Sequence, residues 1–522
     1  MSSLASKIGP ATFVVWGVIA VGIFAAFQLG NSVGEGETSE IFMYLGLLLG
    51  IITVLTARGF WWIPLFIVGG LGFSTTAPGF KIQGVDLMAG FAFACLIAML
   101  SMGQLNAKKT SRNLGVFYFL TLMYVGLHAM IYGMENYFWG DTQFKNIAKA
   151  YYGALTPLVI IGLMDRFASI EGLKPATKWL VFLGVFCSLI ALGLLFTGHS
   201  IPVISGGIMD FSWSSADGSV GYLRWVILPV MMIAVCMTDS STGFQKIFYV
   251  IASVILLGAT AFGGGRISMV IIALFFLSWI GIRRRWRQMI IAGWLLLIGS
   301  GGLFLIGHSI DVRRLQEMPE ALHNVQRALS IFLPKEARDE SQLLVELSNQ
   351  WHEDLVKEAW SYSKMDTRSL LFGHGFQGWD DSIDIRKFTY GAAYDSAVTM
   401  AVKMGASETL FFSMLPIFGW VGVLLYYGFM IQMMMRAKRL IKLCPEKSMA
   451  RSLCGFSFCN ILVTVMVSPI GGAIPAYGMV YWMLGFIAAE PYISKAVQGK
   501  SSMQEATSAP QELAFEESPL RG

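Results

Sequence analysis

Residues 10–29 read PATFVVWGVIAVGIFAAFQL, a run without a single charged side chain. A helix needs about 20 apolar residues to cross the hydrocarbon core of a bilayer, so this run predicts a membrane span. Lys7 precedes it, as in a signal peptide. The run is too long for one and lacks a small-x-small cleavage site, so we expect an uncleaved first span. Similar runs recur along the chain and decide its fold class.

The composition agrees with a membrane protein. Of the 522 residues, 55% are hydrophobic and only 14% are charged, whereas a soluble domain carries about 25% charged residues. The net charge of +5 is too balanced for a protein that binds nucleic acid. A soluble enzyme, a disordered protein and a fibrous protein are excluded. The six cysteines lie outside the one large hydrophilic loop, so no disulfide framework is expected.

Hydropathy predicts an all-α polytopic membrane protein with about 14 transmembrane helices. We expect eleven spans in residues 1–307, a large loop at 308–406, three spans in 407–495 and a disordered tail at 496–522. The predicted spans are residues 10–29, 40–56, 60–77, 86–103, 114–132, 149–164, 179–197, 221–238, 246–263, 267–282, 288–307, 407–433, 452–469 and 476–494.

The charges of the loops between these spans predict the orientation. Basic residues mark the cytoplasmic side of a membrane protein. Lys and Arg cluster in alternate loops, for example at Arg283–Arg287 and Arg436–Lys447, while the loops between them are acidic. Both termini are therefore expected in the cytoplasm and the loop at 308–406 outside it. Two stretches of that loop, Glu317–Phe332 and Lys335–Ser361, have apolar residues at helical spacing.

Two arginines stand where outer loops meet predicted spans. Arg224 follows Gly221-Tyr222-Leu223, and Arg266 follows Gly263-Gly264-Gly265. A guanidinium binds phosphate oxygens in pairs and keeps its charge, so two of them at one depth suit a diphosphate headgroup. The alternative is that each side chain snorkels to the membrane interface.

Glu408 and His374 are the candidate acid–base residues. Glu408 opens the span after the large loop, where it either faces the helix dipole or acts as a general base. His374 lies between Gly373 and Gly375 and is either a structural hydrogen-bonding residue or a catalyst. Neither the other histidines nor the Asp380, Asp381, Asp384 group has metal-ligand spacing, so no metal site and no cofactor is expected.

Together these motifs resemble the O-antigen ligase and polymerase superfamily of membrane glycosyltransferases. The first is the arginine that opens a span in Gly263-Gly264-Gly265-Arg266-Ile267-Ser268. The second is Leu370-Leu371-Phe372-Gly373-His374-Gly375, which is similar to the Leu-Phe-Gly-x-Gly turn that ends the family's outer loop. The third is Glu408-Thr409, followed by Gly419-Trp420-Val421-Gly422. The likeness covers residues 221–427.

The resemblance implies a GT-C-like helical fold in the bacterial inner membrane and a sugar donor linked to undecaprenyl diphosphate. It assigns the diphosphate to Arg266 and Arg224, with Arg313 or Arg314 as a further contact, and proton transfer to Glu408 with His374. It implies partners in the same pathway, namely a chain-length regulator and a flippase. The loop at 308–406 is called the cap below. Candidate platforms for glycan stacking are three tryptophans of the cap, whose alternative role is packing of the cap onto the membrane: Trp351, Trp360 and Trp379.

One departure from the family bears on the activity. Ligases have a histidine where this chain has Glu408, which favours a polymerase of lipid-linked repeat units. A ligase that transfers finished glycan to a lipid or protein remains the alternative. A secondary transporter or lipid-linked sugar flippase is the rival of another class, although such proteins tend to have internal repeats and charges near the midplane. An inactive member of the family also remains open.

Overall fold

The computed structural model describes residues 74–77, 80–83, 114–139, 151, 154, 155, 158, 170–197, 201–204, 209–213, 219–262, 266–283, 340–376, 394–403, 405, 409–470 and 478–508. Most of them are helical. The helices are α1 (Val116–Trp139), α2 (Ile170–Thr197), α3 (Ser219–Met237), α4 (Gly243–Phe262), α5 (Arg266–Ile282), α6 (Glu340–Ser363), α7 (Thr367–Phe372), α8 (Tyr394–Lys403), α9 (Leu410–Leu443), α10 (Met449–Val467) and α11 (Gly478–Ser508).

Four of the described helices contain stretches that are long and apolar enough to cross a membrane: Leu173–Ile190, Gly243–Thr260, Leu410–Leu443 and Met449–Val467. Shorter apolar helices cover Val116–Tyr132, Ile227–Met237 and Ile267–Ile282. The expectation of a mostly helical chain is confirmed for the described residues, and several of their helices could span a membrane. The predicted spans at 10–29, 40–56, 86–103 and 288–307 lie outside the described residues, and 149–164 is described at four positions only.

Four short antiparallel strands accompany the helices, in the order β2-β1-β4-β3. They are β1 (Ser74–Ala77), β2 (Phe80–Gln83), β3 (Ile201–Ile204) and β4 (Met209–Trp213). β1 and β2 are joined by Pro78-Gly79, a pair of turn-forming residues. The prediction of a helical span at 60–77 is therefore wrong for its last four residues, which form strand β1. Ser74-Thr75-Thr76 is polar and contains two β-branched residues, which favours a strand.

One apolar core joins α2, α3, α4, α5, α10, α11 and the second half of α9. Trp482 and Phe456 are fully buried in it. The Trp482 indole N–H donates to Asn460 Oδ1 at 2.6 Å, and the Ser457 hydroxyl donates to the Trp482 carbonyl at 2.7 Å. Buried polar groups between apolar helices need such partners, so these bonds fix how α10 packs on α11.

A second, smaller core lies in the cap, where α6 packs on α8. It contains Trp351, Leu355 and Tyr362 from α6 and Val398 and Val402 from α8. Helix α6 overlaps the stretch 335–361 in which the sequence predicts a helix, whereas 317–332 lies outside the described residues. At the other end of the chain α11 continues to Ser508, past residue 496, where the sequence predicted the disordered tail to begin.

Candidate functional site

Helix α7 and the turn that follows it form the part of the cap that contacts helices α1 and α9. Asp366 caps the helix: its carboxylate accepts from the Ser369 backbone N–H at 2.7 Å and from the Ser369 hydroxyl at 2.6 Å. These two bonds lower the pKa of the Asp366 carboxyl. The helix ends at Gly373, which has a φ of 76° and donates its N–H to the Ser369 carbonyl at 2.8 Å. The chain then turns toward α9.

Helix α9 is broken at Gly419, where φ is 61° and ψ is −173°. The break removes helical partners from the carbonyls before it, and such groups need others. The His374 N–H donates to the Pro416 carbonyl at 2.8 Å, and the Gly375 N–H donates to the Ile417 carbonyl at 3.1 Å. The Tyr124 hydroxyl of α1 donates to the Phe418 carbonyl at 2.6 Å. The cap turn therefore seats on the break through its own backbone.

Two glycines make this contact sterically possible. A Cβ at Gly373 would collide with the Ile417 carbonyl, and a Cβ at Gly419 would collide with the Leu371 carbonyl. Both residues also have a positive φ, which other L-residues adopt only with strain. The Gly-His-Gly turn of the cap thus packs, backbone against backbone, on the stretch of α9 that ends at Gly419.

His374 ties the turn to helix α6. Its Nε2 lies 2.9 Å from the Tyr362 carbonyl and its Nδ1 lies 3.2 Å from the Ser369 hydroxyl. The ring packs against the Tyr362 ring with centroids 4.1 Å apart. These contacts match the structural role that the sequence left open for this histidine, since both nitrogens have partners within the cap.

A second histidine, His128, lies directly beneath the turn. Its Nε2 is 2.7 Å from the Phe372 carbonyl and its Nδ1 is 2.8 Å from the Tyr151 hydroxyl. A carbonyl can only accept, so Nε2 carries the hydrogen, and in the neutral ring Nδ1 accepts from Tyr151. The imidazole stacks on Tyr132 at 4.3 Å. The Arg368 guanidinium lies over the other end of this cluster, 5.0 Å from the Tyr132 ring.

The sequence predicts no functional site at His128, because this histidine lacks metal-ligand spacing. A different signal marks it, since Tyr124, His128 and Tyr132 follow one another at intervals of four residues and so share one face of a helix. Its partners Tyr151 and Phe372 are distant in sequence, and no local pattern connects them. Among the described residues, no group of three or more His, Cys, Asp and Glu side chains could hold a metal ion.

Of the predicted phosphate-binding residues, the structure describes the backbone of two. Arg266 is the first residue of α5 and Arg224 lies in the second turn of α3. Glu408, Arg313, Arg314 and Trp379 lie outside the described residues. Thr409, which follows Glu408 in the sequence, caps α9 by accepting from the Phe412 N–H at 3.2 Å. The preceding N–H, from Phe411, donates to the Ser468 carbonyl at the end of α10.

The two candidate stacking tryptophans that the structure describes differ in their surroundings. Trp351 is buried in the core of the cap, where it packs against other residues of the cap. Trp360 is 38% exposed; it meets Trp420 of α9 edge-on, with ring centroids 6.4 Å apart, and the Lys364 ammonium lies 4.3 Å from its ring centroid. Trp360 therefore bridges the cap and α9 just beyond the break and keeps part of its face accessible.

No family model matches the chain, and no curated protein matches it in sequence.

Proposed function

We propose that this chain is an inverting membrane glycosyltransferase that polymerises oligosaccharide repeat units carried on undecaprenyl diphosphate, at the outer face of a bacterial inner membrane. The observation that carries the proposal is the contact of the Gly-His-Gly turn with the break in α9, eleven residues along the chain from Glu408. Two sequence motifs that resemble the ligase and polymerase superfamily contact each other there. The resemblance assigns the region around this contact to sugar transfer.

In the proposed reaction a hydroxyl of the acceptor glycan attacks the anomeric carbon of the donor. The bond from that carbon to the diphosphate oxygen breaks, and the lipid diphosphate leaves with the bonding electrons. Glu408 takes the proton of the attacking hydroxyl. Arg266 and Arg224 offset the charge that develops on the leaving diphosphate. The reaction needs no cofactor.

The cap has a positioning role in this scheme. His374 bonds to Tyr362 and Ser369 through its ring and to α9 through its backbone N–H. We assign it to holding the turn on the break rather than to proton transfer. Trp360 is the described tryptophan that offers a face to glycan, whereas Trp351 stabilises the cap.

The test is a deletion strain of the source bacterium that is complemented with wild type, Arg266→Ala or Glu408→Gln. Its surface and lipid-linked glycans are then separated on gels. Single repeat units at the surface without long chains are expected for both variants. Loss of a general base costs about 10²- to 10⁴-fold in rate, and loss of one group that stabilises the developing charge costs about 10²- to 10³-fold. Matched controls are Arg451→Ala and Glu353→Gln, which remove the same charges at exposed or half-exposed positions and should keep full-length polymer.

Two other results would replace this proposal. Full-length polymer that accumulates on the carrier in the deletion strain would indicate a ligase. Unchanged glycans in that strain would exclude both transferases and favour a transporter.

A further inference from the structure

The basic end of α9, opposite the cap, contains a cavity that the proposed sugar transfer does not use. Its volume is about 490 Å³, within the range of small-molecule sites. The wall is formed by Leu114 and Gly115 just before α1, the last three turns of α9 and Ile493 of α11. Leu440, Leu443 and Met433 supply its apolar side, and Arg436 and Arg439 lie at its rim.

The charged residues that line the cavity are both basic. They are Arg436 and Arg439, and no described lining residue is acidic. The Arg436 guanidinium packs over the Phe486 ring, 5.3 Å from its centroid, so its place beside the cavity is fixed by α11. The start of α1 adds a helix N-terminus, where backbone N–H groups carry partial positive charge. Gln432 joins this end of α1 to α9 by accepting the Phe117 N–H at 3.1 Å.

The depth of the cavity matches the headgroup layer of a bilayer. After the break at Gly419, about 25–30 Å of helix lead to Arg436 and Arg439, at 1.5 Å per residue. The hydrocarbon core of a bilayer is about 30 Å thick. If this part of α9 crosses the hydrocarbon core, both guanidinium groups lie at the level of the headgroup phosphates. Leu443 and Met435, which are about half exposed, lie beside them as apolar surface.

We propose that this cavity binds one anionic phospholipid, with its phosphate on Arg436 and Arg439 and the start of an acyl chain against Leu440, Leu443 and Met433. A basic pocket between membrane helices with an apolar wall is the chemistry that selects an anionic lipid over a zwitterionic one. Binding joins α1, α9 and α11 at the basic end. The proposal depends on membrane insertion of α9 and is independent of the sugar-transfer chemistry.

The experiment uses the purified full-length protein in a neutral detergent. Native mass spectrometry counts retained dioleoyl-phosphatidylglycerol or dioleoyl-phosphatidylcholine, and a thermal melt measures the stabilisation by each. Wild type should retain one phosphatidylglycerol that phosphatidylcholine does not replace. Arg436→Gln/Arg439→Gln should bind it about 10- to 30-fold more weakly. Arg439→Gln alone should show about a fivefold loss, and its exposed side chain makes misfolding no concern.

The matched control is Lys438→Gln/Lys442→Gln, which removes two charges from the same turns at exposed positions outside the cavity and should bind like wild type. An equal loss in this control would overturn the proposal in favour of diffuse surface attraction. Equal retention of both lipids by wild type, or unchanged binding by both arginine variants, would also overturn it. So would equal stabilisation by inorganic phosphate, since the ligand would then be a free anion.

Discussion

At the scale of single residues, Gly373 lets the turn of the cap approach the backbone of α9 closely. Gly373→Ala should lower the free energy of unfolding by at least about 2 kcal/mol, because alanine is strained at a φ of 76° and its Cβ would collide with the Ile417 carbonyl. Denaturant titration of the detergent-solubilised protein measures the change.

The control for Gly373→Ala is Gly258→Ala. Gly258 lies inside helix α4, where a Cβ would meet open space. Alanine there should leave stability unchanged or raise it by about 0.5–1 kcal/mol, since glycine is the poorer helix former. Similar losses at both sites would show that the contact with Ile417 is unimportant.

His128 contributes through its two ring nitrogens. His128→Phe keeps an aromatic ring against Tyr132 but removes the hydrogen bonds of the imidazole to the Phe372 carbonyl and the Tyr151 hydroxyl. The Phe372 carbonyl keeps a longer bond from the Tyr124 hydroxyl at 3.3 Å, and Tyr151 keeps a backbone bond to Phe376. Each lost hydrogen bond costs about 0.5–1.5 kcal/mol, so we expect a loss of about 1–3 kcal/mol in the same titration.

His128→Gln separates hydrogen bonding from packing, because its amide can donate to the Phe372 carbonyl. It should recover part of the stability that His128→Phe loses. A glutamine variant that is no more stable than the phenylalanine variant would mean that ring packing, not hydrogen bonding, is what His128 provides.

At the scale of elements, the break in α9 decides how the cap docks. Gly419→Ala would place a Cβ against the Leu371 carbonyl and strain a backbone at φ 61°. We expect the turn to leave the break, so that the His374 and Gly375 amides lose their carbonyl partners and exchange hydrogen at least about tenfold faster. Hydrogen exchange followed by mass spectrometry of peptides over residues 371–376 measures this.

The matched variant for Gly419→Ala is Gly126→Ala in α1. Gly126 lies between Tyr124 and His128 on the helix that faces the same break, and a Cβ there meets nothing within 4 Å. Exchange in the turn should stay at the wild-type rate. Wild-type exchange in Gly419→Ala as well would mean that the turn does not depend on the break.

The sequence predicts α9 as a helix but not as a broken one. Its apolar run indicates a span from 407 to 433, and the structure has a helix from Leu410 to Leu443. The break arises because His374 and Gly375, more than 40 residues earlier, supply the hydrogen bonds that the helix gives up at Pro416 and Ile417. A local pattern cannot carry that information. The same holds for His128, whose partners lie on other segments.

At the scale of the whole molecule, strand pairing relates two segments to the same side. Ser74 pairs with Asp210 and Thr75 with Met209, so β1 and β4 share one sheet. The predicted topology independently places the ends of these two segments outside. The cap turn contacts α1 at Tyr124 and His128, near the middle of that helix, and contacts α9 at the break near its start. The cap and the basic residues therefore lie toward opposite ends of α9 and about 15–20 Å apart along α1, at 1.5 Å per residue.

This separation predicts that the two ends face opposite sides of the membrane. Ser361→Cys, exposed on α6, should react with an impermeant maleimide in intact spheroplasts. Lys447→Cys, exposed in the turn between α9 and α10, should react only after permeabilisation. The described native cysteines are buried, so the background should be low, and the wild-type chain measures it. Labelling of both variants in intact spheroplasts would contradict this topology. Labelling of Lys447→Cys alone would show the opposite topology and would move the proposed sugar-transfer site to the cytoplasm. The basic loops would then lie outside, against the charge rule.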